Sequence, residues 1–309
     1  MITVGVIYGG ESTEREVSKK TGEGVIRALT EKGYSVKPIF FTDNKDLVQQ
    51  MADLKVDLVY IALHGKYGED GRVQGLLDLL KIPYIGSGVL ASALAMDKHK
   101  AKQSFVQAGI RTAKEVIINK DSQLSIEKPW INLSLPLVIK PNSEGSTIGI
   151  TIARSEEEVV EGIETASQYD SVIMVEEFIE GIEVTVGVMG KGKGIKALPV
   201  IEIVPKNPFY DYESKYAPGM SDHIIPARIS QEMTEKCQSW AVLAHQVLGC
   251  RTFSRVDFIV PKDGSDPVIL EVNTLPGMTE TSLFPDAARA IGMDYSDMID
   301  QLVKITLNK

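Results

Sequence analysis

The chain reads as an α/β protein whose first 95 or so residues form an open parallel sheet. Two observations predict this. Short β-branched runs alternate with helical patterns from the N-terminus onward. Residues 56–63 are almost continuously apolar, as a strand covered on both faces should be. Beyond residue 95 the runs suggest two hairpins, one around 142–149 and one around 261–267. A length of 309 residues suggests two or three domains, at ~100–150 residues each.

Each element has its own signal. Residues 2–8 are apolar and β-branched and stop at Gly9-Gly10. Val17, Thr21, Val25, Ala28 and Leu29 then share one helical face, which ends at Gly33. Strands are expected over 35–41, 56–63 and 82–85, with helices over 45–54 and 73–80. The run D-K-H-K-A-K at 97–102 opens a basic helix. Its Lys98, Lys100 and Lys102 cannot all face one way, and a solvated face is expected for most of them. Residues 135–139 read as a strand ending in Lys140-Pro141, followed by the loop N-S-E-G-S-T-I-G at 142–149 and a strand at 150–153. A helix over 156–169 and a strand over 172–175 lead into E-E-F-I-E-G-I-E-V-T-V-G-V at 176–188. Met233, Cys237, Trp240, Ala241, Ala244, Val247 and Leu248 recur at helical spacing and read as a core stripe. Two alternating runs flank the polar turn 261–267, and residues 282–308 read as two closing helices separated by Gly292.

Composition excludes several classes. An apolar fraction of 43% and a charged fraction of 24% are ordinary for a globular protein. Lys+Arg 33 against Asp+Glu 42 gives −9, which argues against nucleic acid or an anionic membrane as the main partner. Cys237 and Cys250 are the only cysteines and lack C-x-x-C spacing, which suits a reducing cytoplasm. The N-terminus reads as a first strand, not a signal peptide. No apolar run approaches the ~20 residues of a spanning helix.

Ligands of open parallel sheets bind beyond the carboxyl ends of the strands. Two polar clusters lie there, G-G-E-S-T-E-R-E-V-S at 9–18 and H-G-K-Y-G-E-D-G at 64–71. The first strand does not run into G-x-G-x-x-G, and no G-x-x-x-x-G-K-[ST] loop occurs, so neither common phosphate motif is present. The hairpin around 142–149 can fold over a phosphate: Gly145 and Gly149 allow close approach, Ser146 and Thr147 add hydroxyls, and Lys140 sits at its base. Extended backbone near Phe178 and Ile179 suits an adenine, and Glu183 a ribose. In the last hairpin, alternation puts Arg255 and Asp257 on one face, and Glu271 and Asn273 on the same face if the runs pair. Three of these are oxygen donors of the kind that bind Mg²⁺ beside phosphates. On pattern alone they equally suit a solvated hairpin.

Taken in order, G-G-E-S-T-E-R-E-V-S, L-H-G-K-Y-G-E-D-G, M-D-K, K-P-N-S-E-G-S-T-I-G, E-E-F-I-E-G-I-E, F-Y-D-Y-E-S-K-Y, R-V-D-F and E-V-N-T-L-P-G-M-T resemble the D-alanine–D-alanine ligases of the ATP-grasp superfamily. The match covers essentially the whole chain. The resemblance implies three domains, an open parallel α/β sheet followed by a two-domain ATP-grasp part that is α+β: a substrate-binding α/β domain at 1–95, a central ATP-grasp domain at 96–182 and a C-terminal ATP-grasp domain at 183–309. It implies ATP as substrate, two Mg²⁺ or Mn²⁺ ions, and ligation of two D-alanines through an acyl phosphate and a tetrahedral intermediate. Glu14 matches the partner of the first substrate's ammonium and is linked by family pattern to Ser146 and Tyr216. Lys98 and Lys140 match the α/β-phosphate lysines, and Lys215 would approach the transferred group. Glu176, Glu177, Ile179 and Glu183 match base and ribose contacts. Asp257, Glu271 and Asn273 match the metal ligands, with Glu271 bridging. Arg255 and the Gly277 N–H match the oxyanion site. Ser282 and the Leu283 N–H would hold the second substrate's carboxylate, and His64 sits where the family has a substrate-side histidine.

D-alanine and ATP are the expected partners, with a cytoplasmic homodimer as the expected assembly. Lys215-Tyr216 is similar to the dipeptide-forming ligases; D-lactate or D-serine as second substrate, and a regulator without turnover, are the competing readings. Ser143, and 221–228 without the aromatic often seen there, are the departures from the family pattern.

Overall fold

The computed structural model describes residues 1–12, 14–120, 128–145, 148–205 and 221–308. Strands β1 (Thr3–Gly9), β2 (Ser35–Phe41), β3 (Leu58–Ile61) and β4 (Tyr84–Ile85) form one parallel sheet in the order β2-β1-β3-β4. Helices α1 (Arg15–Glu31), α2 (Asn44–Ala52) and α3 (Arg72–Leu79) are the crossovers. The expected apolar face of α1, from Val17 to Leu29, is buried. Strand β3 is shorter than its apolar run. At its end the Ala62 carbonyl accepts from Ser18 Oγ at 2.6 Å, so the backbone leaves the sheet and swings His64 toward α1.

Helices α4 (Val89–Met96) and α5 (Lys98–Gln107) follow. Their apolar residues Ala91, Ala95, Ala101 and Phe105 join the core of the third sheet, described below. The second sheet is antiparallel, in the order β5-β8-β6-β7, from β5 (Glu115–Asn119), β6 (Leu137–Pro141), β7 (Thr151–Ala153) and β8 (Val172–Glu177). It packs Ile139, Ile173 and Val175 against Val159 and Ile163 of α6 (Glu156–Ala166).

The third sheet holds β9 (Gly181–Gly190), β10 (Lys196–Ala197), β11 (Ile201–Pro205), β12 (Ser221–Ile224), β13 (Thr252–Pro261) and β14 (Val268–Asn273). Its order is β12-β11-β9-β13-β14, with β10 beside β9. Helix α7 (Gln231–Val247) buries Cys237, Ala241 and Ala244 against Val184, Val186, Val256 and Phe258; Val247, expected in the same core stripe, is exposed where the helix ends. Helices α8 (Leu283–Arg289) and α9 (Tyr295–Leu307) place Phe284, Ile299, Leu302 and Val303 in one core with the first sheet. The last two helices therefore tie the first and third sheets together. Among the described residues no helix is long and apolar enough to cross a membrane.

Candidate active site

The hairpin of β13 and β14 pairs Arg255 with Asn273 and Asp257 with Glu271. All four side chains lie on the sheet face that lines two adjoining cavities. The alternation expected from the sequence breaks at one place. Phe258 pairs with Ile269, so Leu270 is an extra residue, a β-bulge next to Glu271. Leu270 and Glu271 consequently both line the larger cavity, whereas strict alternation turns Leu270 to the other face.

Asp257 is the hub of this face. Its Oδ1 accepts from Thr185 Oγ1 at 2.6 Å and Arg255 Nε at 2.9 Å; its Oδ2 accepts from Arg255 Nη2 at 2.8 Å and Asn273 Nδ2 at 3.0 Å. Thr185, on β9, is directly opposite Asp257 in the ladder. The solvated-hairpin alternative fails, because Asp257 is buried and the other three are at most partly exposed. Among the described residues no three His, Cys, Asp or Glu side chains could hold a metal ion by themselves. Two carboxylates and an amide oxygen fit Mg²⁺, which takes one or two carboxylates and completes its shell with water and substrate phosphate.

The larger cavity measures about 440 Å³ and runs between the second and third sheets. Lys98, Lys140, Glu176, Glu177, Ile179, Glu183, Asp257 and Glu271 all line it, so the structure brings together every described residue assigned to nucleotide or bridging metal. Lys98 reaches Glu271 at 3.4 Å and donates to the Glu144 carbonyl at 2.6 Å. Lys140 donates to Glu176 Oε1 at 2.5 Å. Burial alone disfavours the Lys140 ammonium, yet Glu176, with Glu271 and Glu115 behind it, holds it more basic than usual. Burial likewise disfavours the Glu176 carboxylate, but Lys140 and Lys102 outweigh that and bring its pKa to about 2. Both groups are charged at neutral pH.

Two features were not legible from the motifs. The solvated face expected for most of the 98–102 lysines is corrected at Lys102, which is buried; Lys98, matched by the resemblance to a phosphate lysine, is buried too, and Lys100 is exposed. The i,i+4 spacing of Lys98 and Lys102 is the signal that could have found this. Asn142 ties the hairpin base to α5, accepting from His99 N at 2.9 Å and donating to Asp97 Oδ1 at 2.9 Å. That clamp fixes Lys140 relative to Lys98.

The smaller cavity, about 70 Å³, adjoins the larger at Glu271 and Gly145. It is lined by Glu14, His64, Glu69, Arg255, Asn273, Gly277, Ser282 and Leu283, among others. Glu14 precedes α1 and is buried. Gly65 is left-handed at φ 67°, which favours glycine, and a Cβ there would stand 2.7 Å from Glu14 Oε2, so glycine leaves the carboxylate its present place. Burial pushes the Glu69 carboxyl up, and the charge of Glu14 adds to it; the Glu69 and Glu14 carboxylates in turn keep His64 more basic than usual despite its burial. Two carboxylates facing one cavity favour an incoming ammonium.

Across the cavity Ser282 stands at the first position before α8, its Oγ turned away from the helix to Thr279 Oγ1 at 2.7 Å. His223 joins this wall from β12, its Nδ1 2.5 Å from Asp286 Oδ2 on α8. It stands in the stretch noted above for lacking an aromatic. Ser146, Lys215 and Tyr216 lie outside the described residues.

The family model described as "D-ala D-ala ligase C-terminus" matches residues 105–304, and the one for the N-terminus matches 3–55 and 45–87. A D-alanine–D-alanine ligase from Halalkalibacterium halodurans is 58% identical over 308 residues, which is 99% of either chain. The D-alanine–D-alanine ligase of Bacillus anthracis, solved complexed with ATP, superposes with a TM-score of 0.87 at 35% identity, over 100% of this chain and 98% of that one. The VanG D-Ala:D-Ser ligase of Enterococcus faecalis superposes at 0.86 with 34% identity, over 99% of each. The fold, the two adjoining cavities and these matches make this chain a member of the D-alanine–D-alanine ligase family.

Proposed function

We propose that the chain joins two D-alanines into D-alanyl-D-alanine for peptidoglycan synthesis, converting ATP to ADP and phosphate. The observation that carries the reading is the shared wall at Glu271: a lysine-lined cavity fit for a triphosphate meets a carboxylate-lined cavity fit for an ammonium. A carboxylate oxygen of the first D-alanine attacks the γ-phosphorus, the bond to the β–γ bridging oxygen breaks, and ADP departs. The amine of the second D-alanine then attacks the acyl carbon, and phosphate leaves from the tetrahedral intermediate.

The residues divide this work. Glu14 holds the first ammonium, with His64 beside it. Lys98 and Lys140 neutralise phosphate charge, and Lys215 approaches the transferred group. Glu176, Glu177, Ile179 and Glu183 hold base and ribose. Arg255 and the Gly277 N–H face the oxyanion, where preorganised donors act most strongly. Ser282 and the Leu283 N–H hold the second carboxylate, and Ser146 and Tyr216 close the link to Glu14. Asp257, Glu271 and Asn273 would hold two Mg²⁺ or Mn²⁺ ions, which supply charge neutralisation and in-line orientation. The 1–95, 96–182 and 183–309 division, a homodimer and a cytoplasmic location complete the proposal.

The test is phosphate release on mixing protein, Mg²⁺ and ATP with D- or L-alanine. Release with the D form alone is expected; none with it, or equal release with both, overturns the reading. D-serine as second substrate gains support from the equally close superposition on the D-Ala:D-Ser ligase. Competition between D-alanine, D-serine and D-lactate as acceptors decides it, with D-alanine expected to win.

A further inference from the structure

We propose that Lys102 is a positioning residue for the nucleotide base: it holds the Glu176 carboxylate in place and charged when Lys140 turns from Glu176 to the phosphates of ATP. The proposal rests on Glu176 as the base contact, as assigned above.

The geometry isolates Lys102 from the other lysines. It is one helical turn beyond Lys98 on α5 and only 3% exposed. Its Nζ donates to Glu176 Oε2 at 2.8 Å and forms an ion pair with Glu115 Oε2 at 2.6 Å. Glu115 and Glu176 are direct cross-strand partners on β5 and β8. Like charges placed so repel, and Lys102 lies between them. His99 Nδ1, 2.7 Å from Glu115 Oε1, fixes the other end of that carboxylate. Lys102 enters from outside the second sheet, because Ala101 and Phe105 anchor α5 in the third-sheet core.

Each oxygen of Glu176 thus has its own lysine: Oε1 has Lys140 and Oε2 has Lys102. The two lysines are not equivalent. Lys140, like Lys98, lines the nucleotide cavity; Lys102 does not, whereas Glu176 does. A triphosphate in the cavity offers Lys98 and Lys140 stronger anionic partners than the carboxylates they now hold. Glu176 then depends on Lys102 for its charge. Without Lys102, a buried carboxylate is left unpaired. Glu176 then either retains Lys140, which is lost to the phosphates, or takes up a proton and no longer accepts cleanly from the adenine amino group. Both outcomes weaken ATP and leave D-alanine alone.

The experiment compares wild type, Lys102→Met, Lys102→Arg and Glu176→Gln with ATP and with inosine triphosphate, which carries an oxo group where adenine has its amino group. Lys102→Met is expected to raise the KM for ATP about ten- to hundredfold, the value of one charge-assisted hydrogen bond. It should bring the ATP-to-ITP ratio of kcat/KM toward unity and leave the KM for D-alanine unchanged, and Lys102→Arg should restore most of the ratio. A folded Lys102→Met enzyme with wild-type KM and ratio overturns the proposal. Loss of selectivity in Glu176→Gln but not in Lys102→Met overturns the role of Lys102 alone; unchanged selectivity in Glu176→Gln overturns the base contact and the proposal with it. Should the Met variant not fold, a crystal structure of the wild type with a non-hydrolysable ATP analogue decides. Lys102 on Glu176 with Lys140 on the phosphates supports the proposal; Lys140 still on Glu176 refutes it.

Discussion

Arg255 closes on Asp257 with two parallel hydrogen bonds, Nε to Oδ1 at 2.9 Å and Nη2 to Oδ2 at 2.8 Å. The same strand therefore carries the cation and the carboxylate of one bidentate pair. A metal ion held at Asp257 would compete with the guanidinium, and Arg255 would then be available to the oxyanion of the proposed reaction. Arg255→Met is expected to lower kcat about 10²–10³-fold, as loss of an oxyanion donor does elsewhere, with little change in the KM for ATP. Steady-state kinetics with ATP varied checks this; an unaltered kcat removes Arg255 from the oxyanion site.

Glu271 faces Asp257 across the hairpin and lies 3.4 Å from Lys98. A neutral amide bridges cations poorly. Glu271→Gln should cut turnover by about 10²-fold or more, and excess Mg²⁺ should not restore it. Turnover near the wild-type value across a Mg²⁺ titration refutes the metal assignment.

His223 is held by Asp286, which sits one turn beyond Ser282 on the helix that Ser282 precedes. Removing the imidazole loosens the wall of the smaller cavity, the proposed site of the second substrate, and not the nucleotide cavity. His223→Ala is expected to raise the KM of the second D-alanine about tenfold, the worth of one such hydrogen bond, with the KM for ATP unchanged. Initial rates over a wide D-alanine range separate the two substrate affinities, and a change confined to ATP contradicts the placement.

His245 sits in the core below the site, its Nδ1 2.8 Å from Ser254 Oγ, and burial lowers its pKa to about 4. A histidine whose folded pKa lies below its unfolded value stabilises fully above the unfolded value, near 6.5. That contribution is lost as pH falls toward 4, by about 3 kcal/mol in all. Glu176, at about 2 in the fold, adds a second loss as pH falls below the usual carboxylate range. Urea midpoints measured from pH 7 to 4 should fall for wild type, and the fall should flatten in His245→Leu. An equal slope in both proteins shows that His245 is not the titrating group.

The parallel sheet, the apolar stripe of α1, that of α7 apart from Val247, and the face shared by Arg255, Asp257, Glu271 and Asn273 were legible because they rest on period and alternation. A period of 3.6 or 2 is a local property, readable from neighbouring residues without knowing what they touch. The order of the motifs likewise identified the family, since chain order survives folding unchanged.

What the tertiary structure decided was contact and burial. Lys102 reads as surface charge from its pattern, but α5 places it between the second and third sheets, against Glu115 and Glu176. Whether a lysine is solvated or buried depends on carboxylates more than ten residues away, and no local pattern carries that. The bulge at Leu270 is similar: one extra residue re-aims a side chain, and only the partner strand defines which residue is extra. The sequence alone thus determined which groups the chain carries and how each element presents them. The fold determined which charges neutralise one another, because electrostatic pairing in a low-dielectric interior depends on distances that the chain fixes only when it closes on itself.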